Sequence, residues 1–162
     1  MDILYVAMFY QKRLNLIGGF QAQNVLMAAA LVISLGSDPQ DVFSVLHNLL
    51  TVKGRMELAA SRANGANVFI DYAHTPDAIE TAITSLRPHV FGRIIAVIGA
   101  GGDRDQSKRP LMGLAASKTA DVVIVTDDNP RSEDPAKIRQ MIIKGIGPGI
   151  SHECGDRAEA IL

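Results

Sequence analysis

Apolar residues follow two different rhythms along this chain. In the N-terminal part they are dense and helical: Asn24 to Leu35 is rich in Ala, Leu and Met without internal Pro or Gly, and Gly36 follows where a left-handed residue closes a helix. The pattern predicts a buried helix. Asp38-Pro39 then supplies an N-cap and a proline at the first helical position, and Val42, Val45, Leu46 and Leu49 recur at helical spacing, so a second, amphipathic helix is expected. Ahead of both, the apolar run from Ile3 to Tyr10 reads as one strand. Thr51 to Asn67 mixes Gly, Asn, Ser and charge, which marks a linker or hairpin and a candidate domain boundary.

Past that boundary, short β-branched runs alternate with helical segments. Val68-Phe69-Ile70, Ile94 to Ile98 and Val122 to Val125 are the expected strands. Thr75-Pro76 opens a helix with Ile79, Ala82, Ile83 and Leu86 on one face, Pro110 to Thr119 forms another, and Asp134-Pro135 opens a third carrying Ile138, Met141 and Ile142. Strands that are apolar throughout are covered on both faces, so the fold class is α/β, with a doubly wound, mainly parallel, Rossmann-like sheet. Ligands of such sheets bind beyond the carboxyl ends of the strands. Three loops come into view: Asp71 to Pro76, Gly99 to Arg109 and Thr126 to Arg131. Asp156 caps a last helix that reaches Leu162 without a C-cap, as expected of a chain cut within a helix.

Composition narrows the function classes. The chain has 162 residues, 48% hydrophobic and 20% charged, which is one domain's worth of globular sequence and excludes a disordered polar segment. Sixteen Lys and Arg against seventeen Asp and Glu leave a net charge of -1. That balance argues against duplex DNA or an anionic membrane as a bulk partner, and leaves local clusters to bind phosphate or carboxylate. Cys154, the single cysteine, can make neither an intrachain disulfide nor a Cys-rich zinc site, so the cytoplasm is the default location. The N-terminal apolar run lacks the basic start and cleavage site of a signal peptide, and Val25 to Ile33 falls short of the roughly 20 residues needed to span a membrane.

The three loops offer chemistry, each beside a plainer reading. Gly99-Ala100-Gly101-Gly102-Asp103-Arg104-Asp105 is either a tight strand-to-helix turn or a glycine-rich approach to an anion, and Arg104, Asp105, Lys108 and Arg109 favour a ligand-facing role. Asp127-Asp128-Asn129-Pro130-Arg131 is either an Asx-Pro turn or a recognition loop in which Asp and Asn meet an ammonium and Arg forks a carboxylate. Asp71 at a strand end can accept from ribose hydroxyls, and His74 is an acid, a base, an orienting group or a structural hydrogen-bonder before the Thr75-Pro76 cap. His47, His89 and His152 lack paired metal-ligand spacing, and Met56 and Met112 are assigned to packing. No G-x-x-x-x-G-K-[ST] phosphate loop is present in the chain.

Leu16-Ile17-Gly18-Gly19-Phe20-Gln21-Ala22-Gln23-Asn24, Gly54-Arg55-Met56-Glu57, Asp71 to Asp77, Gly101 to Asp105 followed by Lys108 to Gly113, and Asp127 to Arg131 together resemble the Mur ligase family, in order and spacing. The resemblance implies that residues 1–52 are the helical tail of a central ATP-binding domain and residues 53–162 a truncated C-terminal amino-acid-binding domain. It implies an ATP-dependent amide ligase that adds meso-diaminopimelate to UDP-N-acetylmuramoyl-L-alanyl-D-glutamate in peptidoglycan precursor synthesis, with ATP and Mg²⁺ as cofactors and monomeric full-length relatives. By the same resemblance Asn24 contacts the adenine, Arg55 lies against the nucleotide, Asp71 holds the ribose and His74 is a candidate orienting group. Arg104, Asp128, Asn129, Pro130 and Arg131 bind meso-diaminopimelate. Lysine-adding relatives generally lack the arginine at the position of Arg131, so the substrate assignment rests on it. The phosphate loop, the metal ligands and a G-K-G-H-E segment belong to parts of the family fold outside this chain. The chain alone is therefore expected to be inactive, and part of its apolar content is expected on the surface. The rival expectation is a non-catalytic nucleotide- or anion-binding α/β module.

Overall fold

The structure is a computed structural model that describes every residue except Val6 and Ala7. Two compact units divide the chain, Met1–Tyr72 and Ala73–Leu162. The residue pattern marks a boundary region from Thr51 to Asn67, and the family resemblance implies a division between residues 52 and 53.

In the first unit, β1 (Asp2–Tyr5) and β2 (Met8–Gln11) pair antiparallel, from Asp2 opposite Gln11 to Tyr5 opposite Met8. The expected single strand from Ile3 to Tyr10 is therefore two paired strands, and Val6 and Ala7, which that reading included, lie outside the described residues. Helix α1 (Gly19–Ser34) follows, closed by Gly36 in the left-handed conformation at φ 98°. It is not the buried helix the pattern predicted. Val25 and Ala29 are buried, while Met27, Leu31 and Leu35 remain 65%, 59% and 87% exposed, because its run of apolar residues covers more of the helix circumference than the elements of this unit bury. Helix α2 (Pro39–Val45) starts as expected at Asp38, whose carboxylate accepts from Gln40 N and Asp41 N. Its Phe43 anchors a small core with Ile3, Val25, Ala29 and Leu46, and the Tyr5 and Tyr10 rings lie 5.8 and 4.7 Å from the Phe43 ring.

Strands β3 (Glu57–Ser61) and β4 (Asn67–Ile70) form an antiparallel hairpin with a register shift between Leu58 and Ala60. The Val68–Ile70 run thus pairs with β3, not with the parallel sheet to which its apolar character assigned it. The cause is local. Asn64-Gly65 turns the chain, with Gly65 at φ 84° and Arg62 N donating to Ala66 O at 2.8 Å, and brings the two strands together before any crossover can form.

The second unit is the α/β element proper. Helix α3 (Pro76–Leu86) is capped by Thr75 Oγ1, and buries Ile79 and Ile83. Strands β5 (Ile95–Ile98), β6 (Val122–Val125) and β7 (Ser151–Glu153) form a three-stranded parallel sheet in chain order. Helix α4 (Lys108–Thr119) connects β5 to β6, and α5 (Pro135–Ile143), capped by Asp134, precedes β7. A short α6 (Arg157–Ile161), capped by Asp156, comes last. The central strand holds the core, with Val123 and Val125 fully buried beside Ala116 and Ile142. Helices α4 and α5 approach closely at Gly113, where a Cβ would lie 2.1 Å from Ile142 O, so only glycine fits. β7 was not anticipated: Ser151-His152-Glu153 is polar and three residues long, and carries no apolar run to betray it.

Candidate functional site

Ile98 is the register partner of Val125, and Val125 of Glu153, so the loops after β5, β6 and β7 leave the sheet from one edge. The first two loops are bonded to each other. Gly102 N donates to Asn129 O at 2.9 Å, the Arg131 guanidinium donates through Nη1 to Gly102 O at 2.5 Å, and Ser132 Oγ donates to Asp103 Oδ1 at 2.6 Å. This approach explains the paired glycines: a Cβ on Gly102 would sit 1.8 Å from Pro130 O, and one on Gly101 2.8 Å from Arg131 Nη1. Asp103 and Arg131 both adopt left-handed backbone, at φ 52° and 50°. For residues with a Cβ that costs on the order of 1 kcal/mol or more, which the cross-loop bonds must offset.

The tie between the loops runs through a pair that sequence reasoning missed. Arg109, on the first turn of α4, is 1% exposed, and its Nη1 and Nη2 donate to the two carboxylate oxygens of Glu133 at 2.8 and 2.7 Å. Arg109 Nη2 also reaches Gly101 O at 3.3 Å, while Nε is buried without a partner. Glu133 accepts further from Asp103 N at 2.6 Å and Gln106 Nε2 at 3.2 Å. These bonds to the ionised form, from Arg109 first and Asp103 N second, hold the Glu133 carboxyl down at about 2, and the same pair raises Arg109. The expectation of a ligand-facing Arg109 is corrected: it is turned inward, because a carboxylate 24 residues further on neutralises it. Lys108 and Asp105, by contrast, stay at the surface 3.9 Å apart.

On the other side of the second loop, Arg139 of α5 pairs with Asp127 Oδ1 and, at 2.8 Å, with Glu153 Oε1. Both acids raise Arg139, the Glu153 hydrogen bond first and the Asp127 hydrogen bond second. Arg157 Nε donates to Asp127 O at 3.0 Å and its Nη2 lies 4.0 Å from Asp128 Oδ1. Asp127 is thus committed to structure, whereas Asp128, Asn129 and Arg131 are exposed along the loop. Pro130 is half-buried between them, and Arg104 is exposed, donating to Asp103 O at 3.2 Å. The residues expected to meet an amino acid therefore share one edge, save that Arg104 points its bond back to its own loop. Arg139, Glu153 and Arg157 were not singled out beforehand: the helices that carry the two arginines were expected, but their partners come from the distant Asp127 loop and from the unforeseen β7.

The nucleotide candidates lie in the first unit in two groups. Met56, buried with left-handed backbone at φ 52°, donates its N–H to Asp71 Oδ2 at 2.9 Å, and the neighbouring Arg55 guanidinium lies over the Tyr72 ring, 4.7 Å from its centroid. Arg55, Asp71 and Tyr72 are thereby gathered at the base of the hairpin. Asn24 is elsewhere, on the exposed face of α1, donating to Gln21 Oε1 at 3.3 Å. His74 is exposed in the second unit, one residue ahead of the Thr75 cap. Among the described residues no group of three or more His, Cys, Asp or Glu could hold a metal ion. Nor, among those residues, is any helix long and apolar enough to cross a membrane.

Comparison with known proteins supplies a frame for this edge. The profile of the family described as "Mur ligase, glutamate ligase domain" matches residues 54–162. The UDP-N-acetylmuramoyl-L-alanyl-D-glutamate--2,6-diaminopimelate ligase of Caulobacter vibrioides is 52% identical over 149 residues, which is 92% of this chain and 30% of that protein. A solved structure of a ligase of that name superposes with a TM-score of 0.65 at 36% identity, over 99% of this chain and 33% of that one. Folylpolyglutamate synthase of Mycobacterium tuberculosis, solved with ADP and AMPPCP, gives a TM-score of 0.75 at 25% identity, over 94% of this chain and 34% of that one. The chain spans about a third of the length of the relatives it matches.

Proposed function

Because this chain belongs to the Mur ligase family, whose glutamate ligase domain matches residues 54–162, we propose that it is the amino-acid-binding part of an ATP-dependent ligase joining meso-diaminopimelate to UDP-N-acetylmuramoyl-L-alanyl-D-glutamate. The setting is cytoplasmic peptidoglycan precursor synthesis. Residues 1–52 are the end of the central ATP-binding domain and residues 53–162 the amino-acid-binding domain. The similarity to the Caulobacter diaminopimelate ligase supports the substrate.

The observation that carries the reading is the posture of Arg131. Diaminopimelate differs from lysine by one carboxylate, and a guanidinium offers five donors in a planar fork that matches it. One donor is engaged on Gly102 O, which orients the group without exhausting it. Beside it the exposed Asp128 and Asn129 offer oxygens to an ammonium, Pro130 stiffens the loop, and Arg104 adds a second positive charge. A zwitterion with two carboxylates and two amines is the ligand such a row recognises.

At the nucleotide end, Asn24 meets the adenine, Arg55 lies along the nucleotide and Asp71 accepts from the ribose. His74 orients groups near the reacting end. The reaction is activation of the D-glutamate side-chain carboxylate by phosphoryl transfer from ATP, attack of the diaminopimelate amine on the acyl phosphate, and release of phosphate as the amide forms. Mg²⁺ supplies neutralisation of the transferred phosphoryl group, and no residue of this chain is assigned to it.

Two measurements test this. The full-length ligase containing this segment should form amide from ATP, the nucleotide dipeptide and meso-diaminopimelate, and do so poorly with lysine. Equal use of the two amino acids would overturn the assignment. The 162-residue chain alone, lacking a phosphate loop, should form no amide. Sustained ATP-dependent turnover by it would contradict the division of labour between domains.

A further inference from the structure

We propose that Glu133 is a positioning residue for amino-acid recognition: through buried Arg109 it clamps the glycine loop to the loop bearing Arg131, and so presents the Arg131 guanidinium in one orientation. The inference rests on the reading of Arg131 as the carboxylate-binding group.

The geometry is specific. Two arginines grip adjacent carbonyls of one glycine segment, Arg109 holding Gly101 O at 3.3 Å and Arg131 holding Gly102 O at 2.5 Å. Glu133 governs both. It accepts two bonds from Arg109, and its Oε1 also takes the N–H of Asp103, so the backbone immediately after Gly102 is fixed to the same carboxylate. Its own N–H donates to Pro130 O at 3.0 Å, closing the turn that contains Arg131. A shift of Glu133 therefore moves the carbonyl that seats the guanidinium and the backbone that carries it.

Energetics alone do not explain the arrangement. A guanidinium that is 1% exposed, with Nε unpartnered, bears a desolvation cost that a well-packed apolar pair would avoid. With Arg109 in α4 and Glu133 two residues after Arg131, the pair joins a helix of the scaffold to both recognition loops, which apolar contact would not hold in register. Rigid support of that kind is what a directional fork requires, since small misplacement of a positioning group costs much of its effect.

The test is calorimetric titration of meso-diaminopimelate and of lysine into the 162-residue chain, wild type against Glu133→Asp and Glu133→Gln, with thermal melts alongside. Glu133→Asp keeps the charge beside Arg109 but is one methylene too short to hold Arg109 and Asp103 N together. It should melt as a folded protein and lose about tenfold in its preference for diaminopimelate over lysine, the worth of one misplaced charge-assisted bond. A merely structural role would lower both affinities in proportion and leave the ratio unchanged. Folded variants that keep the wild-type ratio overturn the clamp. Should Glu133→Gln unfold, the Glu133→Asp ratio decides alone. If the wild type itself shows no preference, the reading of Arg131 falls instead, and the clamp with it.

Discussion

Arg131 and Arg109 bind neighbouring carbonyls of the same glycine segment, yet one is exposed and the other is sealed against Glu133. That difference decides what each can do. Arg131→Ala should weaken diaminopimelate binding by about 2 kcal/mol, roughly thirtyfold, with little change in melting temperature, and Arg131→Lys should not restore it because a single ammonium cannot fork a carboxylate. Glu133 predicts a pH effect. Its carboxyl is held at about 2, below its ordinary value of 4.5, by the Arg109 bonds first, so its stabilising contribution is whole above that ordinary value and is lost as pH falls through it toward about 2. In urea titrations between pH 7 and pH 2, the gap in midpoint between wild type and Glu133→Gln should narrow only across that acid range; a gap that stays constant would contradict the assignment. Arg131 stood out as a candidate in the sequence because its loop gathers residue types whose chemistry is complementary to an amino acid, and its role remains the proposal made above. The Arg109–Glu133 pair did not stand out, because nothing periodic links positions 24 residues apart, and an arginine near a helix start looks like a surface charge until its carboxylate is found.

Among the elements, those announced by their own caps were readable. Asp38-Pro39, Thr75-Pro76 and Asp134-Pro135 start helices where the side chain accepts the first free N–H groups and the proline N needs no partner. Asp134→Ala should accordingly cost about 1 kcal/mol in thermal or urea unfolding, a local effect that spares the fold. Strands β5 and β6 were readable because continuous apolar runs need cover on both faces. The polar β7 and the hairpin partner β3 were not, since their pairing is set by neighbours and by the Asn64-Gly65 turn, not by apolar periodicity. The close crossing of α4 and α5 makes a second prediction at this scale. Gly113→Val should destabilise by roughly 1 to 3 kcal/mol through forced separation of the helices, measured as a lower melting temperature. On α1, in contrast, Met27→Lys should leave the melt within about 0.5 kcal/mol, because that side chain is 65% exposed and buries little. A large loss there would mean that the side chain is covered in solution.

As a whole molecule, the chain joins a helical and hairpin unit to a three-stranded α/β unit, and spans about a third of the ligases it resembles. The proposed division of chemistry follows that arrangement. Nucleotide-facing candidates Asn24, Arg55 and Asp71 belong to Met1–Tyr72, and the amino-acid row belongs to Ala73–Leu162, at the carboxyl edge of the sheet where α/β folds keep their ligands. The central claim is that this edge recognises an amino acid with a second carboxylate. Its most direct test is the binding of meso-diaminopimelate and lysine to the wild-type chain, compared by titration calorimetry. The account predicts tighter binding of diaminopimelate, with the advantage abolished in Arg131→Ala; equal affinities for the two, or an advantage that survives Arg131→Ala, would contradict it.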